Sequence, residues 1–229
     1  MEHFSNILDR AAERKGGEQH LSALLSSPLD NKQVALLPDD RCLAEITKVV
    51  FQSGFAWRVI EHKWAGFEEA FWKFDANKLV LLDDSHLQRL LQDTRIVRNG
   101  QKIRTVPLNA QLILDCQREY GSFGAFIAQW PEQDIIGLWT YLKKHGARLG
   151  GNSASYILRR LGKDTFVLSK DVNALLIAHD IIDKPATSKT ALKAVQHTFN
   201  EWQQQSGLSL TQISQIVALS VGNNDRQVA

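Results

Sequence analysis

The 229-residue sequence has little of what breaks or cross-links a chain: 14 glycines, 5 prolines and 2 cysteines. So few glycines and prolines exclude a collagenous or low-complexity chain and disfavour a β-sandwich with many turns. The cysteines, Cys42 and Cys116, stand far apart, without a CxxC pattern or a nearby histidine pair, so a zinc site is not indicated. We therefore expect reduced thiols, no metal and no cofactor.

The sequence also lacks long apolar runs, since none approaches the roughly 18 residues that span a bilayer. Its first residues, MEHFSNILDR, lack the basic and apolar regions of a signal peptide. These absences predict a cytoplasmic protein that does not contact membranes, and we expect a monomer. Apolar residues at 44% and charged residues at 23% fit a globular chain with a substantial core.

Charge is unevenly distributed, although the formal net charge is only +2. Residues 95–104 hold four bases and no acid, and residues 141–163 hold six bases and no acid. The two segments therefore carry +10 and the rest of the chain −8. Clustered positive charge indicates a polyanion-binding surface. An all-helical protein-interaction scaffold, the weakest of the alternatives, would leave both segments unexplained.

Helical periodicity dominates the chain. Apolar residues recur at helical spacing in residues 67–74, and Asp83 or Asp84 is placed to cap the helix that follows. Residues 187–206 begin with a capping Thr or Ser and end before Gly207, a typical C-terminal glycine. No stretch alternates apolar and polar residues between turn signals. The predicted fold class is all-α.

Residues 138–161 contain a glycine pair between two predicted helices. A basic helix ends at Gly146, and the next helix, starting near Asn152, would point unsatisfied N–H groups outward as a phosphate site. The alternative, an ordinary αα-hairpin with a solvated basic face, stays open. The predicted phosphate-binding residues of the turn are Leu149, Gly150, Gly151, Asn152 and Ser153.

Asp171 follows this hairpin, after a strand-like apolar stretch, at the start of a predicted helix over residues 172–182. The simple interpretation is that its carboxylate caps that helix. The functional interpretation uses the same position. An ionised carboxylate near a bound DNA backbone could stabilise positive charge on a deoxyribose ring or orient an attacking water.

A hairpin followed by an aspartate resembles the helix–hairpin–helix DNA glycosylase superfamily. Further blocks, from about Asp39 to Val172, are similar to the DNA-3-methyladenine glycosylase I family within it. These blocks are Gln52, Gly54, Phe55 and Trp57; Ala70, Phe71, Phe74 and Asp75; Ile96, Arg98, Asn99, Lys102 and Ile103; Asn109 and Ala110; and Gly121, Ser122 and Phe123.

The resemblance implies a helix–hairpin–helix glycosylase-like bundle of two helical lobes with a cleft between them. Within one unit of residues 1–229, we expect a central lobe at about residues 75–165 that carries the hairpin at 138–161. Residues 1–74 and 166–229 are expected to form the other lobe.

The resemblance also implies roles for individual residues. An extruded base would stack on Trp57, with Val49 as a second base-binding residue. Without the resemblance we would favour a core stripe for Trp57 and Phe55, because Trp57 shares a helical face with Val49, Val50 and Ser53. A wedge would fill the gap left in the duplex. The remaining DNA-contacting residues so implied are Gly54, Phe55 and Gln52 in the wedge, and Arg98 and Lys102 as phosphate ligands.

The sequence departs from the family pattern at several places. The family's base-recognition glutamate falls on Val49, and Glu45, one turn earlier, is the nearest substitute and a second catalytic candidate beside Asp171. The family's zinc ligands are missing. Ser153 stands where bifunctional lyases of the superfamily carry a lysine, so we expect no Schiff-base chemistry.

The predicted function is that of a monofunctional DNA glycosylase of base excision repair. It would bind double-stranded DNA with a damaged base and excise a purine resembling 3-methyladenine, with 3-methylguanine and 7-methylguanine left open. The alternative is a non-catalytic helix–hairpin–helix DNA-binding protein that has lost base excision.

Overall fold

The computed structural model describes residues 2–222, which are helical with no strand, so the predicted all-α class is confirmed. Short 3-10 turns lie at Trp72–Phe74 and Glu132–Asp134. No helix within the described residues combines the length and apolarity needed to cross a membrane. The α-helices, in chain order, are α1 (Phe4–Arg14), α2 (Glu18–Leu24), α3 (Asn31–Ala35), α4 (Asp39–Gln52), α5 (Trp57–His62), α6 (Trp64–Ala70), α7 (Ala76–Leu79), α8 (Asp84–Gln92), α9 (Gly100–Ile103), α10 (Thr105–Tyr120), α11 (Phe123–Gln129), α12 (Ile135–His145), α13 (Asn152–Arg160), α14 (Lys170–Ala178), α15 (Lys189–Ser206) and α16 (Leu210–Leu219).

The described chain divides into two compact units. Unit 1 comprises residues 2–29, 131–137 and 164–222, and unit 2 comprises residues 30–130 and 138–163. The predicted lobes differ from this division, because residues 30–74 belong with the hairpin rather than with the chain termini. The reason is that α4 packs on both α10 and α13. Residues 223–229 of the predicted outer lobe lie outside the described residues.

Local capping signals fix many helix ends. Asp83 Oδ1 accepts a hydrogen bond from the His86 N–H at 2.9 Å, and Ser188 Oγ accepts one from the Ala191 N–H at 3.1 Å. Gly207 ends α15 in the left-handed conformation, with φ of 68°. These three ends confirm the capping predictions, since short-range chemistry determines them.

In unit 1, the stretch before α14 has no regular secondary structure, and it forms hydrogen bonds with a helix rather than with a strand. The carboxylate of Asp164 accepts the N–H groups of Leu210 and Thr211 at 2.9 and 2.8 Å, where the helix dipole of α16 favours negative charge. The cap of α14 is Ser169, whose Oγ accepts the Val172 N–H at 3.2 Å. The capping role considered for Asp171 is therefore wrong.

In unit 2, an aromatic stack replaces the single helix expected over residues 67–74. Helix α6 ends at Ala70, and Trp72, Lys73 and Phe74 have φ values of 49°, 54° and 62°. Left-handed backbone costs an L-residue roughly 1–2 kcal/mol. The buried Phe74 ring, stacked on Trp64 with centroids 5.4 Å apart, shows that tertiary packing decides the local backbone here.

Candidate functional site

A cavity of about 300 Å³ in unit 2 brings together residues from α4, α5 and the hairpin. Several residues predicted to bind a base or DNA thus share one wall, although they come from distant stretches of sequence. Most of the lining is uncharged. The lining residues are Val49, Gln52, Ser53, Trp57, Gly150, Asn152, Ser153, Tyr156 and Arg160.

Trp57 stands at this cavity as an exposed side chain, 54% accessible. The core-stripe interpretation fails because α4 ends at Gln52 and Trp57 begins a separate helix. Tyr156 meets the indole edge-on, with centroids 6.4 Å apart and planes at 88°. The guanidinium carbon of Arg160 lies 4.9 Å from the Trp57 ring centroid. An aromatic surface held in this way suits base stacking.

Two side chains of α4 form the buried part of the wall. Val49 is 7% exposed and Gln52 is 3% exposed. The Gln52 amide donates to Glu61 Oε1 at 2.9 Å. Gln52 therefore belongs to the cavity wall, whereas the sequence grouped it with the wedge.

Glu45 is connected to the cavity lining through Arg160. Its Oε1 accepts from Arg160 Nη1 at 2.9 Å, and both side chains are about one quarter exposed. Arg160 is the one formally charged side chain among the described residues that line the cavity. Glu45, the second catalytic candidate, is thus held in an ion pair.

The loop between α4 and α5 presents the predicted wedge. Gly54 has φ of 74°, with open space where a Cβ would lie, and Phe55 is 39% exposed. Lys102 anchors this loop from within. Its Nζ donates to the carbonyls of Phe51, at 3.0 Å, and Ser53, and lies 4.5 Å from the Phe55 ring centroid.

Lys102 is only 4% exposed, and this burial, together with the charge of Arg148, lowers its pKa. The Lys102 ammonium group is buried and donates its hydrogen bonds to carbonyls at the end of α4, so it is not positioned to bind a phosphate. The position predicted for Lys102 on the DNA-facing surface is therefore corrected. Arg98, the other predicted phosphate ligand of this block, is exposed.

A matched pair of variants separates these two roles. Lys102→Met should lower the free energy of unfolding by about 1–3 kcal/mol for each buried carbonyl left without a donor. Arg98→Met should leave stability unchanged and reduce the dependence of log K on log salt by about 0.9 for duplex DNA. Urea unfolding and DNA titration at several salt concentrations measure both. A Lys102 variant of normal stability with a reduced salt slope would restore the phosphate role.

The conformation of the hairpin turn is set by its own backbone angles and by hydrogen bonds from a neighbouring helix. Arg148 and Gly151 have φ values of 61° and 59°, and the Leu149 side chain is 1% exposed. Asn109 of α10 clamps the turn: its Oδ1 accepts the Ala147 N–H at 2.8 Å, and its Nδ2 donates to the Ala147 carbonyl at 3.2 Å. Leu149 is thus an apolar anchor, and only its backbone remains a candidate for phosphate.

Helix α13 begins behind this turn without a side-chain cap at Gly151. Of the N–H groups expected to point outward, that of Ser153 instead donates to the Gly150 carbonyl at 3.2 Å, because the turn closes on itself. The prediction that Gly150, Gly151 and Asn152 bind phosphate stays a prediction.

Not all basic side chains of the two acid-free segments are exposed for contact with a polyanion. Arg95 pairs with Asp93 and Glu69, at 2.7 and 2.9 Å. Lys163 is fully buried, and its Nζ donates to the Trp130 carbonyl at 2.8 Å. With Lys102 and Arg160 also engaged, the exposed basic residues of these segments include Arg98, Arg104, Lys143, Lys144 and Arg148.

Asp171 lies in unit 1, half-buried in the first turn of α14. A Cβ on Gly222, which has φ of 71°, would come within 3.3 Å of Asp171 Oδ1. The catalytic role of Asp171 stays a prediction. Within residues 2–222, no three His, Cys, Asp or Glu side chains are grouped as metal ligands.

Solved structures define the class of the fold as that of helical DNA glycosylases. An 8-oxoguanine glycosylase/lyase from Methanocaldococcus jannaschii, solved with 8-oxoguanine DNA, is 11% identical with a TM-score of 0.53, covering 92% of this chain and 94% of that one. A variant of 3-methyladenine DNA glycosylase I in complex with 3-methyladenine is 20% identical with a TM-score of 0.51. That match covers 67% of this chain and 91% of the other.

The sequence defines the family. The methyladenine glycosylase family model matches residues 35–178, and the chain therefore belongs to that family. DNA-3-methyladenine glycosylase 1 from Escherichia coli (strain K12) is 28% identical over 76 residues. The match covers 33% of this chain and spans only 41% of that relative's length.

Tyr156 was not predicted as a site residue, and Arg160 was counted only among the bases around the hairpin turn. Tyr156 and Arg160 follow Ser153 by three and seven positions on α13, so helical spacing from the turn could have placed them on the same face. Asn109 was noted only as part of a motif. Its clamp joins residues 38 positions apart, which no local pattern reveals.

Proposed function

We propose that the protein is a DNA glycosylase that extrudes an alkylated purine from duplex DNA and hydrolyses its N-glycosidic bond. The observation that carries the proposal is the exposed Trp57 at a cavity bordered by the hairpin turn, with the Gly54–Phe55 loop beside it. Stacking returns roughly 1–3 kcal/mol per base, which offsets the few kcal/mol that base extrusion costs. Family membership supports the same activity.

In the proposed reaction, water adds to C1′ of the deoxyribose as the bond to the base breaks. The bonding electrons leave with the base, which neutralises an alkylated, cationic purine, and the water proton passes to solvent. Asp171 is the proposed carboxylate that stabilises positive charge on the sugar. Ser153 in the hairpin provides no amine nucleophile, so we propose a monofunctional enzyme without lyase activity.

The test is a mass-spectrometric inventory of the bases released from methylated duplex DNA. Release of 3-methyladenine, 3-methylguanine or 7-methylguanine supports the proposal and identifies the lesion. Borohydride should trap no covalent protein–DNA adduct, because no Schiff base forms. Release of no base by a folded, DNA-binding protein would contradict the proposal.

That last outcome is the signature of the second candidate, a non-catalytic DNA-binding protein. The specific observation in its favour is Val49 in the cavity wall, where no carboxylate lines the described cavity. Such a protein would bind duplex DNA with salt-dependent affinity and yield no free base.

A further inference from the structure

Only one of the two polar atoms of the Gln52 side chain has a hydrogen-bond partner in the described chain. It is 3% exposed in the cavity wall, and its Nε2 donates to Glu61 at 2.9 Å. Its Oε1 is buried with no hydrogen-bond partner in the described chain. A buried acceptor without a partner destabilises the folded state, so folded proteins retain few of them.

The orientation of this amide is fixed by charge. Glu61 Oε2 pairs with Lys48 Nζ at 2.8 Å, and the carboxylate of such an ion pair can only accept hydrogen bonds. Turning the Gln52 amide over would set its oxygen against a carboxylate oxygen. The Lys48–Glu61 pair therefore keeps the Gln52 N–H₂ group toward Glu61 and leaves the carbonyl as an unused acceptor.

Because Gln52 lies in the cavity wall, the donor that pairs with this carbonyl would belong to the molecule that occupies the cavity. We propose that Gln52 is a specificity-determining residue whose Oε1 accepts a hydrogen bond from the exocyclic amino group of the purine held in the cavity. This proposal rests on the proposed function in taking the occupant to be a base. Arg160, in the same wall, brings N–H donors for the ring nitrogens or carbonyl of that base.

A neutral acceptor such as Gln52 Oε1 selects among bases by a different property from the one that a carboxylate selects. It distinguishes bases by whether they carry an N–H at the right edge, whereas an ionised carboxylate also selects positive charge. The inferred preference is therefore for amino-bearing purines over purines that lack the amino group. Lys48 and Glu61 are positioning residues, because they act through the Gln52 amide.

Binding of free bases tests this inference without requiring bond cleavage. The probes are 3-methyladenine and 3-methylpurine, which differ by the amino group, titrated calorimetrically against the full chain. We expect the wild type to bind 3-methyladenine about tenfold more tightly, the effect of one net hydrogen bond. Gln52→Met, which keeps the length of the side chain without the amide, should bring the ratio close to one.

Two further variants complete the experiment. Glu61→Ala removes a half-exposed partner, frees the Gln52 amide to rotate, and should lower the ratio toward the Gln52→Met value even if Gln52→Met does not fold. Gln117→Met, on an exposed face of α10, should keep the wild-type ratio. A loss of affinity for both bases alike is a structural effect and would count against the inference.

The inference is overturned if Gln52→Met or Glu61→Ala keeps the wild-type ratio, or if the wild type binds neither base at millimolar concentration. Failure of the proposed function gives a different result. A protein that releases no base from DNA but still prefers 3-methyladenine through Gln52 retains the recognition inferred here and lacks only catalysis.

Discussion

Asp171→Asn is expected to slow base release by at least about 10²–10³-fold, the usual effect of removing one preorganised electrostatic group from an active site. Asparagine keeps the size of the side chain but removes the charge that would stabilise an oxocarbenium-like sugar. Binding to DNA with an abasic site should be largely intact, because that product has no glycosidic bond to break. Single-turnover base release and DNA titration measure the two effects separately.

Two comparisons make this experiment decisive. Asp180→Asn replaces an exposed aspartate just beyond α14 that has φ of 54°, a conformation asparagine tolerates, and should leave excision unchanged. Glu45→Gln tests the second catalytic candidate. If Glu45→Gln stops base release while Asp171→Asn retains turnover, the catalytic assignment of Asp171 is wrong.

Trp57→Ala is expected to lower kcat/KM for base excision by about 5- to 150-fold, corresponding to the 1–3 kcal/mol that stacking of one base contributes. The indole is 54% exposed, so its removal should change the free energy of unfolding far less than removal of a core aromatic residue would. Excision kinetics and urea unfolding of the same variant distinguish the two quantities.

Trp57→Phe retains an aromatic face and should recover most of the lost activity. Trp72→Ala is the matched control, since Trp72 is also a partly exposed tryptophan of unit 2, at 40%, and is not among the residues that line the cavity. Equal losses from Trp57→Ala and Trp72→Ala would show that stacking at the cavity is not what Trp57 supplies.

Most of the fold could be predicted because it depends on local chemistry. The caps at Asp83 and Ser188 and the terminal glycine at Gly207 follow from short-range hydrogen bonds and backbone freedom. The break at residues 72–74 could not be predicted. There, the stacking of Phe74 on Trp64 compensates a left-handed backbone that the sequence pattern alone disfavours.

The site was predicted in part, and the two wrong predictions, for Lys102 and Gln52, have the same physical cause. Lys102 and Gln52 are polar residues in motifs that face DNA by analogy, so the sequence suggested exposed roles for both. Their burial depends on compensation by distant partners: the Phe51 carbonyl lies 51 positions from Lys102, and Glu61 belongs to the next helix after Gln52. Sequence patterns identify polar residues but do not show whether tertiary contacts compensate their desolvation.

The contacts around Trp57 have a consequence for the entropy of binding. Immobilising a mobile side chain in an interface costs about 0.5–1.5 kcal/mol. Tyr156 and Arg160 already restrict the indole, and Glu45 in turn restricts Arg160. The ring would therefore be preorganised for the stacking proposed above, and little of the stacking free energy would be offset by ordering it. Through this chain of contacts Glu45 contributes to the rigidity of the proposed stacking surface while lying outside the cavity lining.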